Sequence, residues 1–410
     1  MSRIVVVGGG AAGLELVTRL GRSFGHKSNH EVTLVEPSSH HYWKPRLHEI
    51  AAGTFDTELD AVSYLQHATC NGYQYVQAAM AGLDRETKTL LLRNNSGQES
   101  ALQYDYLVIA VGAVSNDFKT PGVSKHCLFL DSSDQAQQAW QQINPLLRAE
   151  GNHRISIVGA GATGVELAAE LAKVSAKLQR YRHGAELDIT LIEASDRVLP
   201  AGPECMSGKV QKALLKQGIT VRTNTRVQRA EEGKLVTAEG EIIAADLQVW
   251  AAGIKCAEWL TQLDGLETNR LNQLKVDANL QPTFDSNIFV LGDSAECPQP
   301  DGSFVPPRAQ AANQAAGHLA RQFKRLLKGK SLQPFIFNDG GMVVAVGHDY
   351  AVGVLMNDKL VLRGRFVRNL YDTIFRLHQR VLFGWGRVTA LVLLKRIKCA
   401  LNPYYKGNLS

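Results

Sequence analysis

The chain carries the same glycine punctuation twice. Gly8-x-Gly10-x-x-Gly13 follows the apolar run Ile4 to Val7, and Gly159-x-Gly161-x-x-Gly164 follows Ile155 to Val158. In each copy the run before the first glycine reads as a buried parallel strand, and the residues after the third (Leu14 to Leu20, Val165 to Leu171) read as a helix. The first glycine permits a tight turn, the second lets the backbone approach a pyrophosphate, and the third lets helix pack closely on strand. The helix N-terminus, with its unpaired N–H groups, then faces the phosphates. Each copy is followed by a second apolar strand ending in an acid, Val32 to Val35 with Glu36 and Ile189 to Ile192 with Glu193. A carboxylate at that point accepts hydrogen bonds from ribose hydroxyls. The doubled, acid-terminated pattern predicts two bound dinucleotides rather than two ordinary glycine-rich turns. Glu193 would repel a 2′-phosphate and so favours NADH over NADPH, an argument that the nearby Arg197 weakens.

A chain of 410 residues with 45% apolar and 20% charged residues has room for two or three domains and is neither disordered nor fibrous. The first strand is expected to begin at residue 3, so no secretory or transit leader is expected. No stretch approaches the roughly 18 uninterrupted apolar residues of a membrane span, since the best C-terminal candidate is cut by Arg387 and Lys395. The six cysteines (70, 127, 205, 256, 297 and 399) are scattered, without a CxxC pair. Many two-dinucleotide flavoproteins place a redox cysteine pair after the second strand, but His40 to Arg46 has none. Disulfide reduction is therefore disfavoured, and the spacing suits a reducing cytoplasm. No histidine spacing supports a metal site, and His26 and His30 read as loop residues.

Three further apolar runs end in small or acidic residues: Tyr106 to Gly112, Leu247 to Gly253 and Asn287 to Asp293. Gly112 and Gly253 suit a strand end that abuts a cofactor or a crossing between domains. Asp293 can accept from a ribityl or ribose hydroxyl, or cap the next turn. After Pro306-Pro307, an alanine-rich helix should start near Arg308, since proline suits a first helical turn. Small side chains there, such as Ala311, let an anion approach the positive helix end.

The positive charge is local. From Arg363 to Lys406 ten Lys or Arg face one acid, Asp372, so this segment is about +9 while the total is +6 and the remainder about −3. Phe366, Leu370, Ile374, Leu377, Val381 and Trp385 recur at helical spacing, with Val367, Tyr371, Phe375 and Leu382 widening that face. Gly384 and Gly386 interrupt the pattern before a second run from Val388 to Leu394. A basic helix with such a stripe would lie in the interface of an anionic membrane. The competing reading is a helix packed on the core or on a second subunit, with nucleic acid a poor third.

Five segments together resemble the type II NADH:quinone oxidoreductases, the single-chain, non-proton-pumping NADH dehydrogenases: Trp43 to Asp56 (WKPRLHEIAAGTFD), Tyr104 to Val123, Gly159 to Leu171 (GAGATGVELAAEL), Leu291 to Pro298 (LGDSAECP) and Pro306 to Gln314 (PPRAQAANQ). The resemblance spans the first strand to the C-terminal tail. It departs at Arg46, where leucine is more usual, and at Arg308. It implies noncovalent FAD held by Gly8, Gly10, Gly13, Glu36, Lys44, Gly112, Asp293 and Ala311, and NADH held by Gly159, Gly161, Gly164, Glu193 and Gly253. It further implies a membrane quinone beside Gln310 and Gln314, and a family glutamate between donor and acceptor at Glu166. Glu166 reads either as a proton relay or as a buried structural carboxylate.

The expected fold is α/β, with two Rossmann-like dinucleotide-binding domains of the glutathione-reductase-like kind and a C-terminal amphipathic membrane-binding region. The FAD domain is expected at residues 1–116 and 266–327, the NADH domain at 117–265, and the membrane region at 328–410, with short strands within 329–362. The expected location is the cytoplasmic face of a bacterial inner membrane, as a peripheral protein. Lipid surface and quinone are the expected partners, with a homodimer allowed and no nucleic acid. Three other functions stay open: a sulfide:quinone oxidoreductase using Cys127, a soluble NADH-dependent reductase of a protein carrier, and a redox-sensing interaction module.

Overall fold

Two parallel sheets hold the two glycine motifs in a computed structural model of the chain, which describes residues 1–25, 30–180, 186–347, 349–355 and 360–401. His26 and Lys406 lie outside the described residues. The first sheet has five strands in the order Ile288–Val290, Tyr106–Ile109, Arg3–Val7, Glu31–Val35, Gln74–Val76, all parallel. The second has four, in the order Thr220–Arg222, Glu186–Ile192, Asn152–Val158, Leu247–Trp250, again all parallel. In both, the strand before the glycine motif is flanked on each side, and its apolar residues are buried. A continuous Val/Ile run needs such cover on both faces.

The duplication extends beyond the motif. A three-stranded antiparallel meander precedes a matching parallel strand in each unit, Ala79–Asp84 with Thr89–Arg93 and Glu99–Gln103 before Tyr106–Ile109 in the first, Val227–Glu231 with Lys234–Thr237 and Ile242–Ala244 before Leu247–Trp250 in the second. The runs read from sequence as strands to Gly112 and Gly253 end earlier, at Ile109 and Trp250. The residues beyond them leave the sheets and form a short antiparallel ribbon, Val114–Ser115 against Ile254–Lys255. Lys255 Nζ donates to Asp117 Oδ1 at 2.7 Å and Trp250 Nε1 to the Asn116 carbonyl at 2.8 Å, which ties the two crossings together.

The helix Ala309–Leu326 starts directly after the proline pair, with Arg308 at its N-cap, and packs its alanine face against the helix Ala11–Leu20. Three short strands follow as an antiparallel meander, Met342–Ala345, Ala351–Leu355 and Leu360–Gly364. Val344, Val352 and Val354 from this meander join the core that underlies the second sheet.

The last helix, Arg365–Leu401, breaks at Gly384, where φ is 78° and ψ 168°. Its apolar residues divide into two faces. Val367, Phe375, Leu382 and Val388 are buried against the body of the protein. Phe366 is 74% exposed and Trp385 62%, and Ile374, Leu377, Leu393, Leu394 and Ile397 are also exposed. The residues that widen the sequence stripe thus make the inward face, and most of the stripe itself points outward. Among the described residues no helix is long and apolar enough to cross a membrane.

Candidate functional site

The two glycine loops have the same local geometry. Gly8 has φ +98° and Gly159 +100°, a region that disfavours any side chain. A Cβ on Gly13 would stand 1.8 Å from the Gly8 carbonyl oxygen, and one on Gly164 would stand 1.9 Å from that of Gly159. Around Gly10 and Gly161 nothing lies within 4 Å of such a Cβ. The third glycine is therefore required by helix–strand contact, while the second faces open space. No acidic residue stands in the first turn of either following helix. Each loop thus offers a helix N-terminus with open approach and no acid in the first helical turn, which fits a pyrophosphate.

The acids at the second strands are held alike. Gly9 N–H donates to Glu36 Oε2 at 2.7 Å and Ser38 N–H to Oε1 at 3.0 Å. Ala160 N–H donates to Glu193 Oε2 at 2.7 Å and Ser195 N–H to Oε1 at 2.9 Å. Each carboxylate keeps lone pairs for ribose hydroxyls. Arg197 is engaged with the Pro200 carbonyl and Asp196.

Beyond the first loop, Lys44, Gly112, Asp293 and Ala311 converge. Lys44 Nζ donates to the Ala113 carbonyl at 2.5 Å, and Gly112 N–H donates to Ser294 Oγ at 2.7 Å. Gly292, at φ +65°, brings the turn that carries Asp293 against Ala312 of the alanine helix and Ala12 of the first helix. Burial pushes the Asp293 carboxyl up from its ordinary range, and the Lys44 ammonium pulls it back. Gly112 has open space where a Cβ would stand, and backbone, ammonium, carboxyl and helix end are groups that suit the rest of a flavin dinucleotide. Gly253 instead receives the Phe118 ring, 2.6 Å from where a Cβ would be.

Glu166 lies between this region and the C-terminal helix and is fully buried. Its Oε1 accepts from Ala345 N–H at 3.0 Å, and its Oε2 is 3.3 Å from His48 Nδ1. Burial pushes the Glu166 carboxyl up to about 8, against the lowering pull of the Ala345 N–H, Arg368 and the Tyr371 hydroxyl. Burial likewise lowers His48 to about 4. Burial thus disfavours charge on both members of this pair, the Glu166 carboxyl and the His48 imidazole.

Next to this pair, Glu49 accepts from Arg46 at 2.7 Å and from Arg368 at 3.2 Å, and Arg368 also holds Asp372 at 2.8 Å. Burial raises the Glu49 carboxyl, but Arg46, His48 and Arg368 outweigh it and bring the group to about 2. Arg46, unusual by sequence, is thus a buried cation whose guanidinium also sits 4.9 Å over the Phe375 ring. Trp43 stacks on His378 with ring centroids 4.1 Å apart. The sequence marks none of His48, Glu49, Arg368, Tyr371 or His378 as a site residue, because the contacts that gather them cross the chain.

The two glutamines differ. Gln314 exchanges hydrogen bonds with the Asn338 backbone, at 2.8 Å to its carbonyl and 3.0 Å from its N–H. The Gln310 amide instead lies over Gly340, where a Cβ would come within 2.5 Å of Nε2. Arg308 forms a rim ion pair with Asp339 at 3.2 Å. Cys127, the residue suggestive of sulfide chemistry, is buried in the core of the second unit, and burial pushes its thiol up to about 12. It has neither the exposure nor the thiolate character of a nucleophile.

The sequence pattern of the pyridine nucleotide-disulphide oxidoreductase family matches residues 2–316. Over 99% of its length the chain is 39% identical to the type II NADH:quinone oxidoreductase of Haemophilus influenzae, all of which is covered. It is 30% identical to the demethylphylloquinone reductase NdbB of Synechocystis, with 90% of this chain and 91% of that one covered. The solved structure of NDH2 from Plasmodium falciparum in complex with NADH shares the fold, with a TM-score of 0.84, 19% identity and coverage of 100% of this chain and 99% of that one. The chain belongs to the pyridine nucleotide-disulphide oxidoreductase family and, within it, to the type II NADH:quinone oxidoreductases.

Proposed function

We propose that this protein is a FAD-dependent oxidoreductase that takes a hydride from NADH and delivers two electrons to a membrane quinone, without pumping protons. The observation that carries this reading is the pair of matching phosphate loops in a chain aligned over almost its whole length with a type II NADH:quinone oxidoreductase. When bound, FAD supplies the hydride-accepting and electron-donating chemistry, which needs no protein nucleophile.

The chain's own residues bind, orient and hold protons. Gly8, Gly10, Gly13 and Glu36 hold the FAD pyrophosphate and ribose, with Lys44, Gly112, Asp293 and Ala311 around its remainder. Gly159, Gly161, Gly164 and Glu193 hold NADH, and Gly253 closes its site through Phe118. Gln310 orients the quinone. Gln314 acts behind it by fixing the backbone at Asn338. Glu166 holds a proton on Oε2 at neutral pH and passes it on as the quinone is reduced. Sheet membership supports an FAD domain at residues 1–116 and 266–327 and an NADH domain at 117–265, and the membrane region is assigned to 328–410.

The exposed residues Phe366, Ile374, Leu377, Trp385 and Leu393, beside exposed Arg380, Arg387 and Arg396, support peripheral attachment to an anionic membrane surface, which we assign to the cytoplasmic face of a bacterial inner membrane. A second copy of the chain is the competing occupant, and a homodimer that hides this face would bind no liposomes. The test of the reaction is NADH-dependent reduction of a short-chain quinone by FAD-loaded protein, with NADPH as the comparison. Turnover with NADH and not NADPH supports the reading; NADH oxidation that leaves the quinone oxidised counts against it.

A further inference from the structure

A groove of about 830 Å3 between the second unit and the C-terminal meander takes no part in the reaction described above. Lys173, Lys209, Lys212, Lys216 and Arg363 line it against two carboxylates, Glu204 and Asp349, for a net charge of about +3. Lys209 and Lys212 lie in the helix Glu204–Leu215 with Lys216 at its C-cap, and their spacing puts all three on one face. Lys173 is tied to Asp349 at 3.3 Å. Among the described residues no ion pair holds the other four cations.

The groove also has a specific polar feature. Gln217 Nε2 donates to the Val346 carbonyl at 3.3 Å, which leaves its buried Oε1 without a hydrogen-bond donor. Gln217 lines the groove, so a side-chain rotation that opens Oε1 to it would let a ligand hydroxyl satisfy this acceptor. Tyr350 forms a wall, and Gly208 leaves the helix backbone bare. Converging lysines in a concavity focus positive potential and, as point charges, accept phosphate in several orientations.

We propose that this groove binds a phosphate ester that carries a free hydroxyl, the phosphate on Lys209, Lys212, Lys216 and Arg363 and the hydroxyl on Gln217. Such a group comes from two sources, a free sugar or glycerol phosphate and the headgroup of an anionic phospholipid. Arg363 stands just before the helix Arg365–Leu401, whose exposed apolar face begins at Phe366, so a headgroup seated here would place its acyl chains beside that face. The proposal needs neither the quinone assignment nor any step of electron transfer.

The test uses the FAD-loaded full chain with saturating NAD⁺, so that its dinucleotide phosphate sites are filled. The probes are glycerol 3-phosphate, inorganic phosphate, and vesicles of phosphatidylcholine with and without phosphatidylglycerol. The double variant Lys209→Gln/Lys212→Gln is expected to keep the melting temperature and the NADH-dependent activity, and to lose affinity about tenfold at low salt. A loss toward glycerol 3-phosphate identifies a free ester, and a loss confined to phosphatidylglycerol vesicles identifies the headgroup. Gln217→Leu should weaken glycerol 3-phosphate more than inorganic phosphate. Wild-type affinity of the double variant for every probe overturns the proposal, and an equal effect of Gln217→Leu on both phosphates overturns the hydroxyl contact.

Discussion

At the scale of single residues, the glycines of each motif separate into those the fold requires and those a ligand requires. Gly161 meets nothing, so Gly161→Ala should leave the melting temperature unchanged and weaken NADH binding at least tenfold, as read by titration. Gly164→Ala drives a methyl into the Gly159 carbonyl and should lower the melting temperature itself. Glu193→Ala removes the acceptor held by Ala160 and Ser195 and should also raise the KM for NADH. This local geometry was legible because turn, helix and acid lie within one short stretch. The environment of Glu166 was not, because Ala345, His48 and Tyr371 reach it from three other parts of the chain. Its carboxyl is raised from 4.5 to about 8, so its contribution to stability is fully present below about 4.5 and is lost as pH rises through about 8. Thermal melts of Glu166→Gln between about pH 5 and pH 8 should therefore fall less steeply than those of the wild type. A parallel slope would mean that Glu166 titrates normally.

At the scale of elements, the C-terminal helix shows what periodicity can and cannot reveal. Spacing identified a helix and Gly384 its break, but both faces are apolar, so the pattern alone could not say which one turns inward. The choice is made by partners on the Trp43–Glu49 segment: the Trp43–His378 stack, the Arg46–Phe375 contact and the Glu49–Arg368 pair. The basic charge divides in the same way. Of the ten basic residues, Arg368, Arg376, Lys395 and Lys398 pair with Glu49, Asp60 or Asp56, so part of the sequence charge holds the helix to the protein rather than to a membrane. Arg46→Ala leaves Glu49 buried with Arg368 alone and should cost roughly 3 kcal/mol in denaturant unfolding. A change near zero would place Glu49 in water. Truncation before Arg363 would strip away the buried Arg368, His378 and Gln379 and test folding as much as attachment. A cleaner probe is Phe366→Ser combined with Trp385→Ser, which should abolish cosedimentation with anionic liposomes while the melting temperature holds. Retained cosedimentation would move the attachment face elsewhere.

At the scale of the whole molecule, two copies of one unit are joined by a two-stranded ribbon and capped by a meander and a helix that belong to neither sheet. The duplicated units were legible because each repeats strand, glycine loop, helix and acid. The clustering of the FAD-side landmarks was only partly so: Asp293 and Ala311 read as separate signals, and the bend at Gly292 is what brings them together. The path from NADH through FAD to quinone is the central claim, and anaerobic mixing tests it most directly. NADH is added to FAD-loaded protein in lipid while the flavin absorbance is followed, and quinone is added next. Bleaching by NADH and full recovery with quinone is the predicted result. Bleaching that quinone does not reverse, or no bleaching by NADH, would contradict it.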